Sequence, residues 1–260
     1  MSIKSYSTIL VLTFGLFSCA SNGVKKSHND IRTENLNQVA DDSVEMVNLN
    51  LGVGYLKRGN EGDLDNALEK FKKSINYNPK FALAHSMIAH VYDRKGLFES
   101  AEKHYKLSEK YNWGSPDIDN NYANFLCQRG SYDLAIKKYL TVIDNPLYKS
   151  PSSAYENAGV CASKANKTSL AEEYFRQALE INSKQPNSLY YLMLIQLEQK
   201  QYMKASAFLQ RLEQVVQPSS EMLAAGYKIE KALNHNDLAD GYLKKLQKYF
   251  PNSESYKNIQ

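Results

Sequence analysis

The chain has 260 residues, with 32 basic and 28 acidic side chains giving a net charge of +4. The charges are dispersed, as in Glu102-Lys103 and Lys137-Lys138, and no basic block interleaved with aromatics points to nucleic acid. No His-Glu-x-x-His, paired Cys-x-x-Cys or Gly-x-Ser-x-Gly pattern occurs, so no metal, cofactor, small-molecule substrate or enzymatic role is expected.

Residues 1–18 read as a lipoprotein signal peptide. Lys4 gives a short positive start, and Ile9 to Phe17 is an apolar run too short to cross a bilayer. Leu16-Phe17-Ser18-Cys19 looks like a lipobox, after which Cys19 becomes the lipidated first mature residue. An ordinary secretory signal or a short membrane anchor is the plainer alternative. Residues 19–43 are rich in Ser, Asn, Asp and Lys, with scattered Val, Ile and Leu. That composition cannot bury enough apolar surface to fold alone, so the segment reads as a lipidated flexible tether.

Residues 44–256 carry the repeats. Ala67, Ala101, Ala135, Ala171, Ala205 and Ala239 are spaced by 34, 34, 36, 34 and 34 residues. A period of about 34 marks the tetratricopeptide repeat, a helix–turn–helix unit that buries its apolar face only by stacking on copies of itself. The predicted fold is all-α: a superhelix, or α-solenoid, of about six such repeats. Four residues after each alanine stands a bulky side chain (Phe71, Tyr105, Tyr139, Phe175, Leu209, Leu243), on the same helix face as the alanine. Pro79 and Pro251 fall twelve residues after the first and last alanines, where a second helix must end. On the first helices, small residues precede bulky ones by three: Gly52 and Tyr55, Ala89 and Tyr92, Ala123 and Leu126. Gly62, Gly96 and Gly130 mark the reversals.

The period also bends. Arg58 to Leu64 is about three residues too long for a standard turn, predicting a lengthened, mobile first loop. Asn145-Pro146-Leu147-Tyr148-Lys149-Ser150-Pro151 adds two residues and two prolines, an elbow that splices two repeats or displays Leu147 and Tyr148. In repeats five and six, Met193 and Tyr227 replace the usual small residue. Cys127 and Cys161 lie on the first helices of adjacent repeats, 34 residues apart where the local offset is 36. In an oxidising periplasm they read as a disulfide or as two small buried thiols.

The segments Tyr122 to Gly130, Asn145 to Tyr148 and Asn157 to Cys161, with the lipobox, the repeat count and the closing Phe250-Pro251-Asn252-Ser253, resemble the PilW/PilF family of type IV pilus biogenesis/stability lipoproteins. The resemblance covers nearly the whole mature chain. It implies a pilotin, which helps a secretin subunit reach, insert and assemble as a ring in the outer membrane. It also implies that Cys127 and Cys161 are disulfide-linked. The long first turn and the loosely patterned fifth repeat depart from the family.

Both readings place a lipid-anchored repeat domain in the periplasm, holding a secretin subunit against its concave wall. First-helix residues not needed for stacking are expected to line that groove: Val53, Leu56 and Lys57; Ser86, His90 and Asp93; Asn120, Asn124 and Gln128. Val53 and Leu56 offer an apolar end for a hydrophobic peptide, or simply finish the core. The alternative function is a general cell-envelope adaptor that recruits peptidoglycan enzymes or β-barrel assembly components.

Overall fold

The computed structural model describes residues 43–259, and every regular element among them is helical. The signal peptide, Cys19 and the tether up to residue 42 lie outside the described residues. Twelve helices pair as α1 (Val44–Arg58) with α2 (Asp63–Tyr77), α3 (Ala82–Arg94) with α4 (Phe98–Tyr111), α5 (Pro116–Gln128) with α6 (Tyr132–Ile143), α7 (Pro151–Lys164) with α8 (Thr168–Ile181), α9 (Pro186–Glu198) with α10 (Tyr202–Glu213), and α11 (Ser220–Ala232) with α12 (Asn236–Tyr249). A short α13 (Glu254–Lys257) follows. Second helices of each pair pack on the first helix of the next, so the pairs form one continuous stack.

Local chemistry sets the helix ends. Ser43 and Ser219 cap α1 and α11 by accepting the backbone N–H of Met46 and Met222 at 3.4 and 3.3 Å. Pro116, Pro151 and Pro186 open α5, α7 and α9, where a missing N–H costs nothing. The reversal inside each repeat needs a left-handed residue five places before the repeat alanine. Gly62, Gly96 and Gly130 supply it at φ 78°, 74° and 83°; Asn166, Lys200 and Asn234 take the same conformation at 58°, 58° and 62°. Lys200 has a Cβ that resists this conformation and no short polar side chain to compensate. Lys200→Gly is therefore expected to stabilise the protein by about 1 kcal/mol, read as a raised urea midpoint at unchanged m-value.

Small and large side chains interlock across each hairpin. A Cβ on Gly52 would stand 2.4 Å from the Phe71 ring, and one on Gly159 would stand 2.7 Å from Phe175. In repeat five a larger Met193 is matched by a smaller Leu209, both buried. The expectation for repeat six is corrected. Tyr227 does not replace the small residue; Gly226 supplies it, and a Cβ there would meet the Tyr242 ring at 2.6 Å. Both partners of this contact have moved one place toward the N-terminus, which preserves the fit.

The long first turn is braced at its base. Asp63 accepts from Arg58 Nε at 3.0 Å, from Arg58 Nη2 at 2.5 Å and from the Asn60 backbone N–H at 2.8 Å. The Arg58 hydrogen bond above all lowers the Asp63 pKa to about 2. The proline elbow divides its two candidates: Tyr148 is buried with Val142 and Ala154, while Leu147 is 74% exposed. At the C-terminal end, Phe250, Tyr256 and Ile259 close over Leu223, Ala224 and Leu246.

Candidate protein-binding surface

The N-terminal end of the stack has no such closure among the described residues. Helices α3, α5, α7 and α9 each pack against the second helix of the preceding repeat. The residues at two register positions of these helices are Ala84 and Ile88, Ile118 and Tyr122, Ala154 and Ala158, and Ser188 and Leu192, all buried. In α1 the same positions hold Val47 and Leu51, which are 45% and 51% exposed. They border an open hollow with Asn50, Gly54, Tyr55 and Arg58. Repetition made these residues core-like, and no helix among the described residues covers them. This face was not legible from the repeat pattern, which gives Val47 and Leu51 the same register as buried residues of later repeats.

The nine groove candidates separate by burial. Val53 is only 5% exposed and belongs to the core of the first two repeats, so its groove assignment is corrected to packing. Ser86 and Asn120 are also buried, with Ser86 Oγ and Asn120 Oδ1 closed off from the surface. Each lies three residues before its repeat's small position, a face turned toward neighbouring helices rather than outward. Leu56 packs partly against the core beside Val53. Asn124 accepts a 2.5 Å hydrogen bond from the buried Tyr139 hydroxyl, which fixes its orientation. His90 and Asp93 are half-buried, and burial raises the Asp93 pKa while the nearby Arg129 charge opposes the rise. Lys57 and Gln128 are exposed.

Polar groups inside the stack serve its rigidity. Glu156 on α7 is buried and accepts from the Ser188 N–H (3.1 Å), Ser188 Oγ (3.0 Å) and Asn187 Nδ2 (2.9 Å), capping α9 from the neighbouring repeat. His85 and His104 meet Nδ1 to Nδ1 at 3.1 Å, and His85 Nε2 lies 3.0 Å from the Pro79 carbonyl oxygen. A carbonyl only accepts, so His85 carries its proton on Nε2 and its Nδ1 accepts from His104 Nδ1–H.

Burial, then the unfavourable electrostatic effect of placing a second proton beside the His85 ring, lowers the His104 pKa from 6.5 to about 4. The unfolded chain therefore binds a proton between about pH 6.5 and pH 4 that the folded chain refuses. Stability should fall as pH drops through that window and level off below it; His104→Gln should flatten this slope in denaturant titrations at pH 7, 5 and 4.

Cys127 and Cys161 stand on α5 and α7 with their Cα atoms 5.7 Å apart, within the span of a cross-link. Helix stagger absorbs the two-residue register offset. Among the described residues no cluster of three or more His, Cys, Asp or Glu side chains is placed to hold a metal, and no helix is long and apolar enough to cross a membrane.

Stacked helix hairpins on a 34-residue period define a tetratricopeptide-repeat protein. The tetratricopeptide repeat family matches residues 152–185 directly. The chain is homologous to the type IV pilus assembly protein PilF of Pseudomonas aeruginosa, with 25% identity over 252 residues, 97% of this chain and 96% of that protein. The solved structure of Pseudomonas aeruginosa PilF superposes with a TM-score of 0.76 at 25% identity, over 84% of this chain and 96% of the other. That of PilW, described as a widely conserved type IV pilus biogenesis factor, gives 0.74 at 24% identity over 84% and 99%. In sequence along nearly its whole length, and in repeat architecture, the chain fits alongside PilF, and it shares the fold of PilW.

Proposed function

We propose that this protein is a type IV pilus biogenesis factor acting as a pilotin: an outer-membrane lipoprotein, anchored through Cys19, that binds secretin subunits and promotes their localisation and multimerisation. Similarity to PilF along 97% of the chain carries the pilus reading. The bare Val47 and Leu51 face of α1 supplies an apolar surface for a protein partner, rimmed by Asn50 and Arg58. It replaces Val53 as the apolar end of the binding surface, with Leu56 and Lys57 nearby.

A pull-down from the membrane fraction with the Cys19-intact chain tests the partner. Secretin should be the retained protein, and deletion should abolish secretin multimers and pili. Recovery of peptidoglycan enzymes or β-barrel assembly proteins, with disturbed cell shape, would favour the envelope-adaptor alternative. The mass of the mature N-terminal peptide reads the acyl groups on Cys19 directly.

In the periplasm the Cys127–Cys161 pair is oxidised and braces repeats three and four across the elbow. Both cysteines should resist alkylation until reduced, and reduction should lower stability by about 2–4 kcal/mol. Free thiols at both positions in the native protein would reject the cross-link.

A further inference from the structure

Inside the stack the first helix of each later repeat is covered by the second helix before it, and contacts at the joints fix how the covering helix runs. The residue six places after the small position reaches the start of that helix. Lys95 Nζ lies 2.7 Å from Asp65 Oδ1, and the Arg129 guanidinium sits 3.9 Å from the centre of the Phe98 ring. Gln199 Nε2 donates to Glu172 Oε2 at 3.3 Å. Between α6 and α7 that place is Ala165, and Lys167 pairs with Asp133 instead. All four partners fall within the first five residues of the covering helix, and three of them are acids. The end of one helix meets the start of the other, so each pair is antiparallel.

Helix α1 keeps its half of this arrangement. Val44, Val47, Leu51, Gly54 and Arg58 recur at alternate steps of three and four residues along one face, and all five are exposed. The chain's own packing does not account for Gly54. A Cβ there would meet nothing within 4 Å, and a glycine inside a helix weakens it. The same register place in α3, α5, α7 and α9 holds Val91, Phe125, Cys161 and Ile195, all buried. Arg58 stands where Lys95 and Arg129 stand, and it is the one charged residue lining the hollow among the described residues. The buried Asp63 takes its Nε and Nη2, which leaves further guanidinium N–H groups for another acceptor.

The preceding sequence does not complete the joint. Ala89 and Gly52 are 37 residues apart, and counting back by that step from Ala67, Leu68, Phe71 and Ile75 of α2 gives Asp30, Ile31, Glu34 and Gln38. Three of the four are polar where α2 is apolar. A second copy has no bare second helix to offer, because Phe250, Tyr256 and Ile259 cover the last pair.

We propose that α1 seats an amphipathic helix of the partner protein, antiparallel to it, with an acid in its first turn beside Arg58 and a bulky apolar side chain over Gly54. This contact continues the interface that the chain repeats between its own helix pairs. An acid in that turn also faces the positive end of its own helix. The inference rests on the pilotin reading only for which protein supplies the helix.

Photolysis in living cells of the full-length chain, with p-benzoylphenylalanine in place of Val44 or Leu51, labels what lies on this face. One segment with an apolar helical stripe and a first-turn acid is expected, labelled from Leu51 nearer its N-terminus and from Val44 nearer its C-terminus. A synthetic peptide of that segment should bind the full-length protein. Gly54→Leu should weaken it about tenfold or more without lowering the urea midpoint, because leucine fits the chain itself but fills the space the partner needs. Simple apolar adhesion predicts equal or tighter binding to Gly54→Leu, and that result overturns the proposal. Labelling in the reverse order, of a segment without the stripe, of a second copy, of residues 20–42 or of no protein also overturns it. A qualifying helix from an envelope protein other than secretin upholds the inference and removes the secretin reading. Secretin that is captured by the chain but never labelled from this face does the opposite.

Discussion

Truncating Phe175 to alanine is expected to cost about 3–5 kcal/mol, the usual penalty for deleting a fully buried ring. The ring is completely enclosed, sits directly on Gly159 and stacks on Tyr191 of the next repeat with centroids 4.9 Å apart and planes 5° from parallel. Its loss opens a cavity where repeats four and five meet, so the stack is weakened at a joint as well as within a unit. The converse test fills the space from the other side. Gly159→Ala gains about 1 kcal/mol of helix propensity but forces a Cβ to 2.7 Å from an immobile ring, an overpacking penalty of about 1–3 kcal/mol. Steric crowding should win, and Phe175→Leu in the same chain should recover part of the loss. Urea midpoints for the four proteins measure this coupling. If the two substitutions prove additive, the interlock does not set stability here.

The second large effect separates two residues only two places apart. Leu51→Glu puts a charge on exposed surface, so folding should change by no more than about 0.5 kcal/mol, while capture of the proposed secretin partner should be lost. Val53→Glu buries an unpaired carboxylate in the core of the first two repeats and should cost more than about 3 kcal/mol. Thermal melts read alongside the membrane pull-down resolve the pair. Undiminished capture by Leu51→Glu would remove the α1 face from the binding surface. Equal melting of the two variants would contradict the burial difference that distinguishes them.

Much of the architecture was legible because repetition states the same rule six times. The alanine spacing placed all six hairpins, and Gly62, Gly96 and Gly130 marked three of the six left-handed reversals. Asn166, Lys200 and Asn234 were overlooked there because only glycine announces that conformation by residue type. Gly226 was missed because a contact that slips by one place on both helices leaves the fixed register while keeping its geometry. The exposed α1 face was harder to see for a different reason. Periodicity records which side of a helix is apolar, whereas exposure depends on whether a neighbouring helix covers that side. Nothing in the repeat pattern therefore marked Val47 and Leu51 as exposed, while Val53, one place past Gly52, was expected in the groove and is packed inside.

The unequal ends of the stack give the molecule a direction. Phe250, Tyr256 and Ile259 terminate one end, so growth by a further unit is blocked there. The other end presents the half-built joint that every internal repeat uses to receive its predecessor. A guest supplying one amphipathic helix of about the same length as α2 would dock as an additional rung, borrowing geometry the protein already repeats five times within itself.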